Sequence, residues 1–129
     1  MRILVVEDSD SIRHMIETLM TARGHEVVAV STGAKGIDSA LAYCPDAILL
    51  DLHLPGTFDG FSVCRRLREG GLTGAVPIII ISSLADEASK QRAFEAGATA
   101  YYTKPFSPTA LLKEIESLPS RHSTKLRTK

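Results

Sequence analysis

Three carboxylates, a hydroxyl and a lysine in this 129-residue chain are of the types needed to handle a phosphoryl group. Asp51 stands out first. It ends the apolar run Ala47-Ile48-Leu49-Leu50, and Pro55 soon forbids any regular continuation. A continuous apolar run of that length suits a strand buried on both faces of a parallel sheet. Asp51 is then expected where the chain leaves the carboxyl edge of the sheet, the edge at which open α/β sheets bind ligands. Taken alone, an aspartate after a strand does no more than shape a turn. Comparable residues follow other strand-like runs, however. Glu7 and Asp8 follow Arg2–Val6, Ser82 follows the isoleucines 78–81, and Lys104 follows Ala100–Thr103.

Glu7, Asp8 and Asp51 would bring three carboxylates together if the first and third strands are neighbours. Two carboxylates ~4 Å apart repel by about 4 kcal/mol at an effective dielectric of about 20. A proton, a lysine or a hard divalent cation must offset that. Mg²⁺ suits such a site, because it takes carboxylate oxygens, keeps several waters and is often completed by a phosphoryl group. Lys104 can neutralise one acid and later bind a phosphoryl oxygen, and the Ser82 hydroxyl can donate to the same oxygen. A carboxylate, a metal, a lysine and a hydroxyl together make a site for an aspartyl phosphate. Each member also has a bland explanation: Glu7-Asp8 as a polar loop, Ser82 as a helix cap, Lys104 as a surface lysine. Four groups at four strand ends resist it.

The positioning elements are legible from pattern. Arg2–Val6 reads as a strand, and Ile12, Met15, Ile16, Leu19 and Met20 form the stripe of an amphipathic helix closed by Arg23-Gly24. Val27–Val30 gives a second strand. Ser31-Thr32 can cap a second helix with inner face Ala34, Ile37, Leu41 and Cys44, ended by Pro45. After the strand ending at Asp51, a third helix turns Phe61, Cys64 and Leu67 inward, leaves Arg65, Arg66 and Glu69 in water, and stops at Gly70-Gly71. The fourth strand is expected over Val76–Ile81. A fourth helix follows from Ala85 to Ala96, with Asp86 and Glu87 in its first turn, where the dipole favours anions. Ala100–Thr103 is the fifth strand, and Ser107-Pro108 opens a last helix burying Leu111, Leu112, Ile115 and Leu118. Five strands alternating with five helices imply a doubly wound α/β domain. Right-handed crossovers put all strand ends, and hence Glu7, Asp8, Asp51, Ser82 and Lys104, on one edge.

Composition narrows the class. The length fits one domain with a real core. No apolar run approaches the ~20 residues of a membrane span, and Glu7-Asp8 interrupts the short N-terminal apolar run, unlike a signal peptide. Cys44 and Cys64 fall in helical segments without metal-ligand spacing and read as small core or surface thiols. A reduced, cytoplasmic protein is expected. The zero net charge is asymmetric: residues 1–118 carry fifteen acidic and eleven basic side chains, and the remainder carries four basic and no acidic ones. So acidic a body does not suit nucleic acid. The end reads as a solvated tail or truncated linker.

The segments ILVVED (3–8), LLDLHLPG (49–56), IIIIS (78–82) and GATAYYTKPF (97–106) together resemble the receiver domain of two-component response regulators. The resemblance covers residues 1–118, leaving 119–129 as the basic tail or linker. It implies a flavodoxin-like, five-stranded parallel sheet of order 2-1-3-4-5, the order such receivers share. By resemblance, Asp51 is the phosphoacceptor. Asp8 and Asp51 ligate Mg²⁺ with the backbone carbonyl of His53, and Glu7 acts mainly through water. Ser82 is similar to the switch hydroxyl, Tyr101 to the switch aromatic, and Lys104 to the lysine that contacts the phosphoryl group, with a cis Lys104–Pro105 bond. The implied partners are a sensor histidine kinase or phosphotransfer protein and a downstream effector. The effector docks on the face of the fourth helix, fifth strand and fifth helix. The domain itself is expected not to bind nucleic acid or membrane, nor to be an enzyme beyond its own phosphorylation and dephosphorylation.

Three departures from the family pattern stand out. The loop Pro55–Gly60 is one residue longer, which leaves the start of the third helix open. His53 and Leu84, two residues past Asp51 and Ser82, border the phosphoryl group by resemblance, and neither is an acid. Thr99-Ala100 replaces an acidic pair found in regulators that dimerise through the effector face. Rival classes fit less well. A Mg²⁺-dependent aspartyl-phosphate phosphohydrolase would carry its nucleophile and second acid on the first strand and would add a substrate-binding cap. A flavin module would need a glycine- and hydroxyl-rich phosphate loop where Glu7-Asp8 stand. A receiver-like binding module that is never phosphorylated would not need a complete site. Whether the receiver stands alone or belongs to a longer regulator, the sequence leaves open.

Overall fold

Ala47–Asp51 and Ile78–Ser82 are buried at every residue, which requires a strand on either side and cover on both faces. The computed structural model describes residues 1–119 and supplies both. The chain runs β1 (Arg2–Val6), α1 (Asp10–Ala22), β2 (Glu26–Val30), α2 (Gly33–Tyr43), β3 (Ala47–Asp51), α3 (Gly60–Glu69), β4 (Ile78–Ser82), α4 (Glu87–Glu95), β5 (Ala100–Thr103) and α5 (Pro108–Glu116). All strand pairs are parallel, and the order is β2-β1-β3-β4-β5. Apart from Pro119, the expected basic tail lies outside the described residues. Among the described residues no helix is long and apolar enough to cross a membrane.

Successive strand residues point to opposite faces, and the core divides accordingly. Leu4, Val6, Ile48, Leu50, Ile78 and Ile80 pack with Val63, Cys64 and Leu67 of α3 and Ala93 of α4. Ile3, Val5, Leu49, Ile79 and Ile81 pack with Ile16 and Met20 of α1 and Leu111 and Ile115 of α5. Each helix starts on a side-chain cap: Ser9, Thr32, Asp59, Asp86 and Ser107 accept from the backbone N–H three residues on.

Four expectations need correction. The buried residues of α2 are Gly33, Gly36 and Ala40, with Ile37 partly buried, whereas Ala34 and Leu41 face water. The cause is close approach. A Cβ on Gly36 would meet Val6 at 2.9 Å, and one on Gly33 would meet the Phe58 carbonyl oxygen at 2.6 Å, so α2 lies against its neighbours along its smallest residues. Cys44 is not on that helix but caps it, in the left-handed region at φ 52°. Met15, placed in the α1 stripe, is 38% exposed at its edge. The β4 ladder begins at Ile78 rather than Val76, whose N–H bonds the Thr73 carbonyl in a turn. Ser82 is therefore the last residue of β4, and α4 starts two residues later than the pattern predicts, with Asp86 as its cap.

Candidate functional site

Register brings the site together. Val6 pairs with Leu50 and Asp51 with Ile81, so Glu7 emerges level with Asp51. Ser82 pairs with Thr103, and the Lys104 N–H then donates to the Ser82 carbonyl at 2.7 Å. The Lys104 side chain reaches back across the sheet edge. Its Nζ lies 3.0 Å from Glu7 Oε1 and 3.5 Å from Asp51 Oδ2. The Lys104–Pro105 peptide is cis.

Glu7 and Ser82 are fully buried, and Asp51 is 4% exposed. Glu7 Oε2 accepts from the Ser9 N–H at 3.0 Å. Oε1 faces the Lys104 ammonium, 3.0 Å away, and has no other partner among the described residues. Burial pushes the Glu7 carboxyl above the usual range, and the Asp51 charge adds to this, while the Ser9 N–H and Lys104 oppose it. Asp51 Oδ1 accepts from the His53 N–H at 3.3 Å. Asp8 and His53 are exposed and line a cleft of about 490 Å³ with Leu52, Asp59, Phe61, Leu84 and Arg92.

The sequence-predicted residues thus separate into a triad of buried Glu7 and Asp51 with partly buried Lys104 and an open rim of Asp8 and His53. Among the described residues no three His, Cys, Asp or Glu side chains close on one point as a metal cage. That does not exclude Mg²⁺, which binds through one or two carboxylates and completes its octahedron with water. Glu7, Asp8 and Asp51 offer carboxylate oxygens at the sheet edge, and a single lysine stands against the two buried ones. Such a set fits a hard cation.

Ser82 and Tyr101 are joined through a third residue. Ser82 Oγ accepts from the Leu84 N–H at 3.1 Å, and the Tyr101 hydroxyl donates to the Leu84 carbonyl at 2.6 Å. Three contributions were not foreseen from sequence, where Leu84 was named only for its side chain. The Leu84 backbone acts through groups every residue has. Arg13 Nη1 donates to the Glu7 carbonyl at 2.9 Å and holds the exit of β1. Gly60 packs its backbone on Asp51: a Cβ there would lie 2.3 Å from the Asp51 carbonyl oxygen. Only the last left a readable signal, a glycine directly after the capping Asp59.

The response regulator receiver domain family matches residues 3–116. The chain is 40% identical over 119 residues to the transcriptional regulatory protein CseB of Streptomyces coelicolor, covering 92% of this chain and 49% of that protein. It is similar in structure to the chemotaxis protein CheY4 of Vibrio cholerae, with a TM-score of 0.85 at 29% identity over 92% of this chain and 98% of that one. It is also similar to the receiver domain of sensor histidine kinase PA1611 from Pseudomonas aeruginosa, with a TM-score of 0.83 at 32% identity over 91% and 95%. In that structure a magnesium ion is coordinated in the active site cleft. The chain spans about half the length of most of the curated relatives it matches, and 26% of the response regulator PleD. With the family's match running from β1 through α5 and the acids and lysine standing at the ends of β1, β3 and β5, the chain belongs to the receiver domains of two-component response regulators.

Proposed function

We propose that Asp51 is a phosphoacceptor and that residues 1–118 form a cytoplasmic receiver charged by a sensor histidine kinase or phosphotransfer protein. The observation that carries this reading is the Lys104 ammonium lying between Glu7 and Asp51. An Asp51 carboxylate oxygen attacks the phosphorus of a donor phosphohistidine; the P–N bond breaks, and the imidazole leaves with the electron pair. Lys104 offsets the carboxylate charges before transfer and contacts a phosphoryl oxygen after it. Asp8, Asp51 and the His53 carbonyl would hold Mg²⁺, with Glu7 acting through water. When bound, the ion supplies positive charge to the phosphoryl oxygens. Beyond gaining and losing this group, the domain turns over no substrate.

The new charge shifts a two-state equilibrium. The Ser82 hydroxyl proton donates to the phosphoryl group. Because Ser82 Oγ also holds the Leu84 N–H, its movement is felt at the Leu84 carbonyl and so by Tyr101. The output surface is α4, β5 and α5, where Phe94 is 47% exposed and a downstream effector docks. Intact-mass analysis after incubation with acetyl phosphate and Mg²⁺ tests the acceptor. The phosphoryl mass is expected in wild type and absent in Asp51→Asn, and equal labelling of both overturns the assignment.

A further inference from the structure

Arg92 of α4 places its guanidinium carbon 3.9 Å from the centroid of the Phe61 ring. Phe61, in the first turn of α3, is only 6% exposed, whereas Arg92 is exposed. Both line the cleft shared by Asp8, His53 and Leu84. Stacking engages the flat face of a guanidinium and leaves its five N–H donors directed outward from the edge. No carboxylate among the described residues pairs with Arg92. A planar cation of this kind, steadied by a buried ring and with its fork unused, has the chemistry of a carboxylate seat. In-line transfer puts the leaving group on the far side of phosphorus from the nucleophile, and Asp51 Oδ1 accepts from the N–H of His53, a residue that lines this cleft.

We propose that Arg92 receives the departing carboxylate of an acyl phosphate donor and so favours acyl phosphates over phosphoramidates. The inference rests on Asp51 being the acceptor. As the bond from Asp51 to phosphorus forms, the phosphorus–oxygen bond to the acyl group breaks. That oxygen keeps the electron pair, and the leaving group departs as a carboxylate whose charge develops beside Arg92. With phosphoramidate, the protonated nitrogen takes the pair and leaves as neutral ammonia, which gives Arg92 no anion to bind.

The test compares second-order phosphorylation rate constants of the full chain, read by intact mass in Mg²⁺, for acetyl phosphate and for phosphoramidate. Arg92→Met keeps an unbranched side chain over Phe61 without the charge. It is expected to slow acetyl phosphate about five-fold, the scale of one exposed charge contact, and to change phosphoramidate by less than about two-fold. Arg92→Lys, which retains charge but not the planar fork, recovers part of the loss. Equal effects on both donors, or none on either, overturn the proposal, since a packing role would not distinguish leaving groups. A second arm does not depend on transfer. Acetate titrated into Asp51→Asn is expected to shift the Arg92 Nε–H resonance, and a static resonance overturns the seat. If neither donor labels wild type but acetate moves that resonance, the acceptor reading fails and the seat stands.

Discussion

The backbone of Gly60 rests directly on that of Asp51. Its N–H donates to the Leu52 carbonyl at 2.9 Å, and a Cβ on it would sit 2.3 Å from the Asp51 carbonyl oxygen and 2.5 Å from the Leu52 Cα. The start of α3 and the acceptor end of β3 are therefore one packed unit. The loop from Pro55 to Asp59 leaves and returns without separating them.

Gly60→Ala must push α3 away from β3, because the opposing atoms are backbone and cannot rotate aside. The expected loss is about 3 kcal/mol, at the upper end of overpacking, or a fall in Tm of roughly 10 °C. Gly71, around which a Cβ would find open space, is the control, and Gly71→Ala should stay within about 0.5 kcal/mol. Similar denaturation midpoints for the two variants would refute the contact.

Lys104→Met leaves Glu7 and Asp51 buried without their shared cation. Breaking a fully buried pair costs about 3–5 kcal/mol, and the Lys104 side chain is 18% exposed, so a loss of about 2 kcal/mol is expected after allowing for solvent screening. Adding Asp51→Asn should restore part of it, because Glu7 then faces one charge fewer. Chemical denaturation of the four proteins in this double-mutant cycle measures the coupling, and strict additivity would contradict the triad.

Mg²⁺ should raise Tm in a concentration-dependent way, since a ligand of the folded state alone stabilises it by linkage. Chelation should reverse the rise. Asp8→Ala should abolish most of it, as Asp8 is the exposed carboxylate at the rim of the site. A rise that persists undiminished in this variant would locate the ion elsewhere.

At the far end of α5, Glu116 accepts from Arg23 at 2.9 and 3.1 Å and lies 3.2 Å from His25 Nε2. The Arg23 hydrogen bonds, with His25 contributing, hold its carboxyl below the ordinary 4.5. The folded state therefore takes up this proton less readily than the unfolded one. The stabilisation is complete above the unfolded value and is lost as pH falls through the lower, folded value. Thermal melts between about pH 6 and about pH 3 should show wild type above Glu116→Gln, with the gap closing on acidification. A gap independent of pH would show that the ion pair does not contribute.

Ser82→Ala should still accept phosphate at Asp51 but couple it poorly to the output face. Beryllofluoride, which mimics a phosphoryl group on aspartate, allows the comparison. NMR shifts at Tyr101 and α4 should change strongly in wild type and weakly in Ser82→Ala. Identical responses would mean that the coupling bypasses Ser82 and its bond to Leu84.

The strand runs and the groups after them were legible in the sequence because a parallel strand covered on both faces must be apolar throughout. The chain can then turn polar only where it leaves the sheet. The inner face of α2 was not legible. Hydropathy favoured Ala34 and Leu41, but the backbone approaches along Gly33, Gly36 and Ala40, and an absent side chain leaves no apolar signal. Val76 is as apolar as the residues of β4, so only the turn that binds its N–H shows where the ladder starts.

Residue type and spacing by themselves determined the fold class and which acids, hydroxyl and lysine stand at the sheet's carboxyl edge. Tertiary structure alone decided which of their atoms meet. Lys104 lies closer to Glu7 than to Asp51, and the Leu84 peptide links Ser82 to Tyr101. These contacts depend on strand register and on backbone groups common to every residue. Local sequence pattern does not encode a distance between residues that the chain brings together only by crossing the sheet.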